Sequence, residues 1–253
     1  MLINIEWNKK NFSVDLNKPI DISIPLRSGE NNPNAFGIQQ PLIEPFKFGD
    51  IVLSVAKGGS VNCENLFINP HGNGTHTECV GHISKEKITI NQTLTTFFSI
   101  AQLITVEAEN NIITKKAVQK LLNESDAPIA IGAIVIRTLP NGDDKLTKKY
   151  SGNTPTFLEA ELCNWLREKN IKHLLIDLPS VDAEEDGGEL AAHHAFWNYP
   201  AQPRMDATIT EMIFVDDKIN DGIYLLNIQI ASIESDASPS KPVLYELKMR
   251  VEN

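Results

Sequence analysis

Residues 129–138 read IAIGAIVIRT, and this run decides the fold. A strand with one wet face alternates apolar and polar residues, whereas a strand covered on both faces reads as a continuous apolar, β-branched stretch. The expectation is therefore a buried strand with a packed layer on each side. Working outward, the pattern changes period. Upstream, Ala117, Val118, Leu121 and Leu122 recur at helical spacing behind Thr114, a candidate cap. Downstream, a loop of Gly, Asn, Asp and Lys leads to Thr154-Pro155, which reads as a helix start with a cap and a first-turn proline. That helix would carry Phe157, Leu158, Leu162, Trp165 and Leu166 on one side. Residues 173–178 (HLLIDL) form a second buried strand, and an Ala-rich helix is expected over 189–197.

Further strands are expected at 20–26, 51–56, 100–106, 209–215, 223–233 and 243–249, with a long irregular loop at 27–45 (RSGENNPNAFGIQQPLIEP). Two strand–helix–strand units inside a strand-rich frame predict one mixed α/β domain spanning 1–253, with no internal repeat and no linker.

The net charge of −10 argues against nucleic acid or an anionic membrane as partner, since both call for basic patches. The densest basic group, Lys145, Lys148 and Lys149, reads as a solvated loop. Cys63, Cys79 and Cys163 are odd in number and in no CxxC pattern, which suits a reducing compartment. The N-terminus MLINIEWNKKNF lacks the apolar core of a signal peptide. The apolar stretch 129–136 is far too short to span a bilayer. A cytoplasmic protein is expected.

Chemistry concentrates at 69–82, NPHGNGTHTECVGH, which holds three of the six histidines and one glutamate. If residues 74–80 are extended, His76 and Glu78 project together while Thr75, Thr77 and Cys79 face the other way. An imidazole and a carboxylate two apart on a strand make half a site for a divalent metal. His82 lies past Gly81, where the chain can bend and return a second imidazole. Gly72-Asn-Gly74 has the first glycines of a dinucleotide fingerprint, but Thr77 stands at the third. His76-Thr-Glu78 matches the H-x-E of zinc deaminases without their P-C-x-x-C. Cys79 reads as a small buried hydrophobe rather than a nucleophile. Of the other histidines, His173 sits at a strand end, and His193-His194 follow a polar loop after a buried strand, where α/β proteins place chemistry. Glu211 is the lone acid in an apolar run, and its burial unpaired would cost several kcal/mol.

These residues resemble the cyclase-like metal hydrolases, the family that includes bacterial kynurenine formamidase and isatin hydrolase. The family signature HxGTHxDxPxH corresponds to Gly72-Asn-Gly-Thr-His76-Thr-Glu78-Cys-Val-Gly-His82. Asp21-Ile-Ser-Ile-Pro-Leu26 resembles its D-x-S-x-P-L, Ile136-Arg-Thr138 its central strand, Ile176-Asp-Leu-Pro-Ser-Val-Asp182 its I-D-x-P-S-V-D, and Asp236-Ala-Ser-Pro239 its D-G-S-P. The resemblance implies a single α/β domain of the swivelling β/β/α type. It implies metal ligation by His76 and Glu78, a further ligand at His193 with His194 as the other register, a bridging glutamate at Glu211, and an acid/base at His82. Three departures stand out in the signature itself. The family's first histidine falls at Gly72, with His71 one residue away; Glu78 replaces aspartate; and Val80 stands where proline is usual. The segment between His193 and Glu211 is also lengthened, by residues such as 198–204.

The expected activity is therefore a metal-dependent amidohydrolase, arylformamidase-like, acting on a small N-formyl or cyclic amide. It would use one or two divalent ions, Zn or Mn, held by His76, Glu78, His193 and Glu211 with His71 as the candidate replacement for the ligand at 72. Such an ion would acidify water and polarise the carbonyl, with His82 moving the proton. The loop at 27–45 would cover the substrate with residues such as Phe36. Two alternatives stay open at this point: a family member that binds a small molecule without turnover, and a hydrolase or dehydratase of a non-aromatic substrate. A homodimer or larger homo-oligomer is implied by the resemblance alone.

Overall fold

The computed structural model describes residues 1–124 and 131–250. Seven strands of four or more residues, with the two-residue strand Ile20–Asp21 at the edge, make up its main sheet: β1 (His76–Cys79), β2 (Phe98–Glu107), β3 (Ala133–Leu139), β4 (His173–Ile176), β5 (Thr208–Glu211), β6 (Gly222–Ile230) and β7 (Ala237–Glu246). Their spatial order is β6-β2-β3-β4-β5-β1-β7, and β7 pairs again with β6, so the sheet closes into a barrel. Strands β2 to β5 run parallel, while β1, β6 and β7 join antiparallel. The parallel strands are connected through three helices, α1 (Lys115–Glu124), α2 (Ala160–Glu168) and α3 (Ala191–Trp197).

The 129–138 run supplies β3, apart from Ile129 and Ala130, which lie outside the described residues. Both of its faces are covered, and alternation divides its side chains between two cores. Ala133 and Val135 join Leu103, Leu175, Leu226 and Leu244 inside the barrel. Ile134 and Ile136 join Val118, Leu162, Leu166 and Phe196 beneath the helices. The absence of a polar stripe in the sequence follows directly from this double burial.

Tertiary contacts overrule several local signals. Thr154-Pro155 does not open a helix: Thr154 takes a positive φ of 42°, and Phe157–Leu158 pairs in parallel with Ile112–Ile113. The Phe157 N–H donates to the Asn111 carbonyl and the Glu159 N–H to the Ile113 carbonyl, so the helix starts only at Ala160. The strand expected at 20–26 stops at Asp21, whose carboxylate takes the Ser23 N–H at 3.0 Å and hydroxyl at 2.6 Å and turns the chain. The one expected at 51–56 is Ile51–Val52 followed by a 3₁₀ turn at Val55–Lys57. The loop at 27–45 ends in a strand, Leu42–Pro45, paired with Glu64–Phe67.

Of the lysine group, Lys148 and Lys149 are exposed as expected, and Lys145 is not. Lys145 is buried and its Nζ lies 2.7 Å from Asp177 Oδ2. The Lys149 Nζ donates to the carbonyls of Glu30 and Asn32, tying the 27–45 loop down. Among the described residues no helix is long and apolar enough to cross a membrane.

His173 ends up inside the structure, its Nδ1 2.9 Å from Thr208 Oγ1 across the β4–β5 pairing. Burial, with the nearby Lys172 charge, pushes its pKa down to about 4. The unfolded chain therefore binds this proton first, and stability is full above the unfolded value near 6.5 and declines as pH falls towards 4. Substituting asparagine, which keeps a hydrogen-bonding group near Nδ1, is expected to flatten this part of the unfolding midpoint's pH profile. Parallel profiles for wild type and H173N between pH 6.5 and 4 would contradict the assignment.

Candidate metal centre

β1 lies between β5 and β7. Cys79 belongs to the barrel interior, so His76 and Glu78 face outward, towards the helix layer. Register places Glu211 directly across from His76 and Ile209 across from Glu78. The His76 Nε2 and Glu211 Oε2 atoms are consequently 3.3 Å apart. The fourth element is α3. Its start is held by Asp182, whose carboxylate accepts the N–H groups of Ala192 at 2.7 Å and His193 at 3.1 Å. This fixes the rotation of α3 with His193 pointing at β1. The next residue, His194, turns elsewhere, its Nδ1 2.9 Å from the Tyr199 carbonyl.

His71 reaches the same place from a single helical turn, Pro70–Asn73, capped by Asn69, which accepts the His71 N–H at 3.0 Å. Gly72 is there for packing. A Cβ on it would stand 2.6 Å from Ile38 Cδ1 and 2.9 Å from Ile38 Cβ. Ile38 is brought there by a tight turn in which Phe36 and Gly37 have φ of 58° and 62°, closed by the Ile38 N–H donating to the Ala35 carbonyl. A side chain at 72 would displace this turn, and the imidazole sits one residue earlier instead. Beyond β1, Gly81 carries the chain through a 3₁₀ turn (Val80–His82), with the Ile88 carbonyl in the space a Cβ would need. His82 returns over the site and stacks on His71, ring centroids 4.3 Å apart.

Six sequence-selected residues, His71, His76, Glu78, His82, His193 and Glu211, thus meet in one place. His173 stands apart. Glu78 is the hub: its Oε2 is 3.1 Å from His71 Nδ1 and 3.8 Å from His82 Nδ1, and its Oε1 is 3.1 Å from His193 Nε2. The Glu211 Oε1 accepts the Val181 N–H at 2.9 Å and lies 4.0 Å from His193 Nε2.

Three of the imidazoles share one arrangement. The Nδ1 of His76 bonds to the Gly74 carbonyl at 2.9 Å, the Nδ1 of His193 to Asp182 at 2.6 Å, and the Nε2 of His71 to Asp236 at 2.8 Å. Each leaves its other nitrogen turned inward. An outer acceptor that fixes the tautomer while the inner nitrogen presents a lone pair is the usual setting of a metal-binding histidine. Among the described residues, only three buried side-chain nitrogens or oxygens lack a hydrogen-bond partner, and two of them are His76 Nε2 and Glu78 Oε2. Both have neighbours at ion-pair distance but off the hydrogen-bonding direction. Unpaired burial costs several kcal/mol, and a divalent cation would relieve it. The ligand atoms of His71, His76 and Glu78 lie within 4.8 Å of one another, as do those of Glu78, His82 and His193. The residues fit a metal ion.

The electrostatics agree. Burial acts against charge on Glu78, but the His82 charge and pairing with His193 and His71 hold its carboxyl well below the usual range. Burial likewise opposes charge on His71 and His193. Asp236 and Glu78 outweigh it at His71, and Asp182 and Glu78 at His193, so that both rise to about 10. Protons on these rings thus balance the buried carboxylates in the absence of an ion, and a cation held here would displace them and take over their charge. Asp182 and Asp236 were quoted in the sequence only as parts of motifs. Their contacts come from other segments, and an acid at the end of one motif (Asp182) and at the start of another (Asp236) is the only signal of them in the sequence.

A profile of the family described as putative cyclase matches residues 14–183. The chain belongs to the cyclase family. Among curated relatives of this cyclase-family chain, a kynurenine formamidase of Bacillus thuringiensis (strain Al Hakam) is 30% identical over 227 residues, covering 89% of this chain and 96% of the relative. A kynurenine formamidase of Bacillus cytotoxicus is 29% identical over 230 residues, covering 90% and 97%. Isatin hydrolase A from Labrenzia aggregata, solved with benzyl benzoate, superposes with a TM-score of 0.64 at 15% identity, covering 90% and 93%, a likeness of fold.

Proposed function

We propose that this cyclase-family chain is a metal-dependent hydrolase of a small N-formyl aryl amide, cleaving a C–N bond that is not a peptide bond. The observation that carries the reading is the pair of buried, unpartnered atoms, His76 Nε2 and Glu78 Oε2, inside a ring of outward-anchored imidazoles. The names of its kynurenine formamidase relatives support the substrate class.

In this reading His71, His76, Glu78, His193 and Glu211 hold one or two divalent ions, Zn or Mn, the mixed nitrogen and oxygen donors suiting either. A bound ion supplies Lewis acidity to the amide carbonyl and acidifies water. The remaining chemistry belongs to His82. Its Nδ1 is 3.3 Å from Asp236 Oδ2, and its side chain is 30% exposed at the edge of the cluster. With Nδ1–H donated to Asp236, Nε2 is free to take a proton from the attacking water and return it to the departing amine, giving formate and the free aryl amine. His71, 3.1 Å from Glu78, offers the imidazole that position 72 lacks, which favours turnover over binding alone. A cytoplasmic setting and a homo-oligomer, dimer or larger, complete the proposal.

Removal of the His82 ring should lower kcat for N-formylkynurenine by roughly 10²–10⁴-fold, the usual weight of a positioned acid/base, with metal content unchanged. Chelator should abolish wild-type turnover and added Zn or Mn restore it. Full activity in H82A, or in thoroughly chelated wild type, would sink the corresponding part of the reading.

A further inference from the structure

Asp236 enters the reaction above only as the acceptor for His82, yet it touches two of the imidazoles. Its Oδ2 is 2.8 Å from His71 Nε2 and 3.3 Å from His82 Nδ1. Its Oδ1 accepts the Ser235 hydroxyl at 3.0 Å. The backbone is fixed as well: the Asp236 carbonyl accepts the Cys79 N–H at 3.0 Å, and the next residue, Ala237, pairs with Glu78. Sheet register therefore delivers this carboxylate to the rim of the cluster beside the residue at its hub.

We propose that Asp236 is a positioning residue that sets the tautomer and direction of both His71 and His82, coupling the metal-holding ring to the proton-moving one. The inference rests on the metal-hydrolase reading above. A neutral imidazole carries one N–H and one lone pair. Donation from His71 Nε2 leaves its lone pair on Nδ1, the atom 3.1 Å from Glu78. Donation from His82 Nδ1 leaves its lone pair on Nε2, on the far side of the ring. One oxygen accepting both N–H groups holds the two rings in a fixed relation, and their stacking, with 29° between planes, keeps either from turning alone. Gly74 and Asp182 each anchor a single ring, at His76 and His193; Asp236 anchors two.

An amide at this position matches the shape and loses the charge: an Asn oxygen in the place of Oδ2 holds both N–H groups more weakly, and its NH₂ faces the hydroxyl that Ser235 directs at Oδ1. The test compares wild type, D236N and D236E as full-length chains. The readouts are Zn²⁺ affinity by chelator competition, Zn²⁺ stoichiometry, kcat and KM for N-formylkynurenine at saturating Zn²⁺, and ¹⁵N shifts of His82 in the Zn²⁺-loaded protein. D236N is expected to bind Zn²⁺ 10- to 100-fold more weakly, the usual effect of losing an outer partner of a ligand histidine, with wild-type stoichiometry. At saturating Zn²⁺ its kcat should fall about tenfold or more with KM nearly unchanged, and His82 should lose the Nδ1–H tautomer that wild type shows. D236E should recover part of the affinity; if D236N does not fold, D236E decides, with an intermediate loss of affinity and kcat expected. Wild-type affinity, kcat and tautomer in D236N would overturn the inference. A drop in Zn²⁺ stoichiometry would overturn it too, because Asp236 would then be a ligand itself. A wild-type chain that binds no Zn²⁺ or Mn²⁺ overturns the metal reading and this inference together, whereas normal wild-type binding with an indifferent D236N overturns this inference alone.

Discussion

Replacing Glu78 with glutamine is expected to lower divalent-metal affinity by roughly 10²–10³-fold and to lower turnover in step. The side chain is fully buried, with His71, His82 and His193 nitrogens at 3.1, 3.8 and 3.1 Å. Glutamine preserves volume and removes the charge on which all three rings converge. Breaking a buried ionic arrangement from one side costs about 3–5 kcal/mol, and every 1.4 kcal/mol is about a factor of ten in an equilibrium constant. Metal content after dialysis, read by elemental analysis, checks this. A glutamine variant that keeps its full complement of metal would show that Glu78 is not the hub. The methylene by which Glu78 exceeds the family's aspartate extends reach, so E78D is the informative milder change.

Lys145→Met should be the most destabilising surface-to-apolar change suggested by the sequence pattern, although the sequence reads as a solvated loop there. The Lys145 Nζ donates to Asp177 Oδ2 and the Thr138 carbonyl, each at 2.7 Å, and to Asn141 Oδ1 at 3.3 Å. Asp177 also accepts the Thr138 N–H and hydroxyl, each at 2.9 Å. This polar knot ties the end of β3 to the residue just after β4. Without the ammonium, Asp177 remains buried with its carboxyl already pushed up by burial. The expected loss is about 3–5 kcal/mol at neutral pH, which is roughly 10 °C in unfolding midpoint for a chain of this size. The loss should shrink in acid, where Asp177 takes a proton. The double variant K145M/D177L should recover most of it, since a well-packed apolar pair can replace a buried ion pair. A single variant with an unchanged urea midpoint would contradict the account.

Much of the fold was legible because its signals are local and strong. The continuous apolar run at 129–138, the helical spacing from Ala117 to Leu122 and the HLLIDL strand each report double or one-sided burial through periodicity alone. Element limits were less legible where contacts from far along the chain intervene. Thr154-Pro155 carries a genuine helix-start signal, but pairing of Phe157–Leu158 with Ile112–Ile113 makes the chain extended there. Lys145 carries a genuine surface signal, but Asp177 draws it inside.

The site divides along the same line. The sequence by itself determined the donor types and the face: His76 and Glu78 share a side of a strand because its side chains alternate, and the His- and Glu-rich stretch at 69–82 needs no tertiary information to stand out. Only the tertiary structure decided which donors converge. The barrel's register sets Glu211 opposite His76, Asp182 turns α3 so that His193 enters and His194 does not, and Ile38 occupies the space beside Gly72 while His71 reaches Glu78. Periodicity is a property of neighbouring residues, whereas convergence depends on closing loops of tens of residues, and no local pattern encodes where such a loop ends.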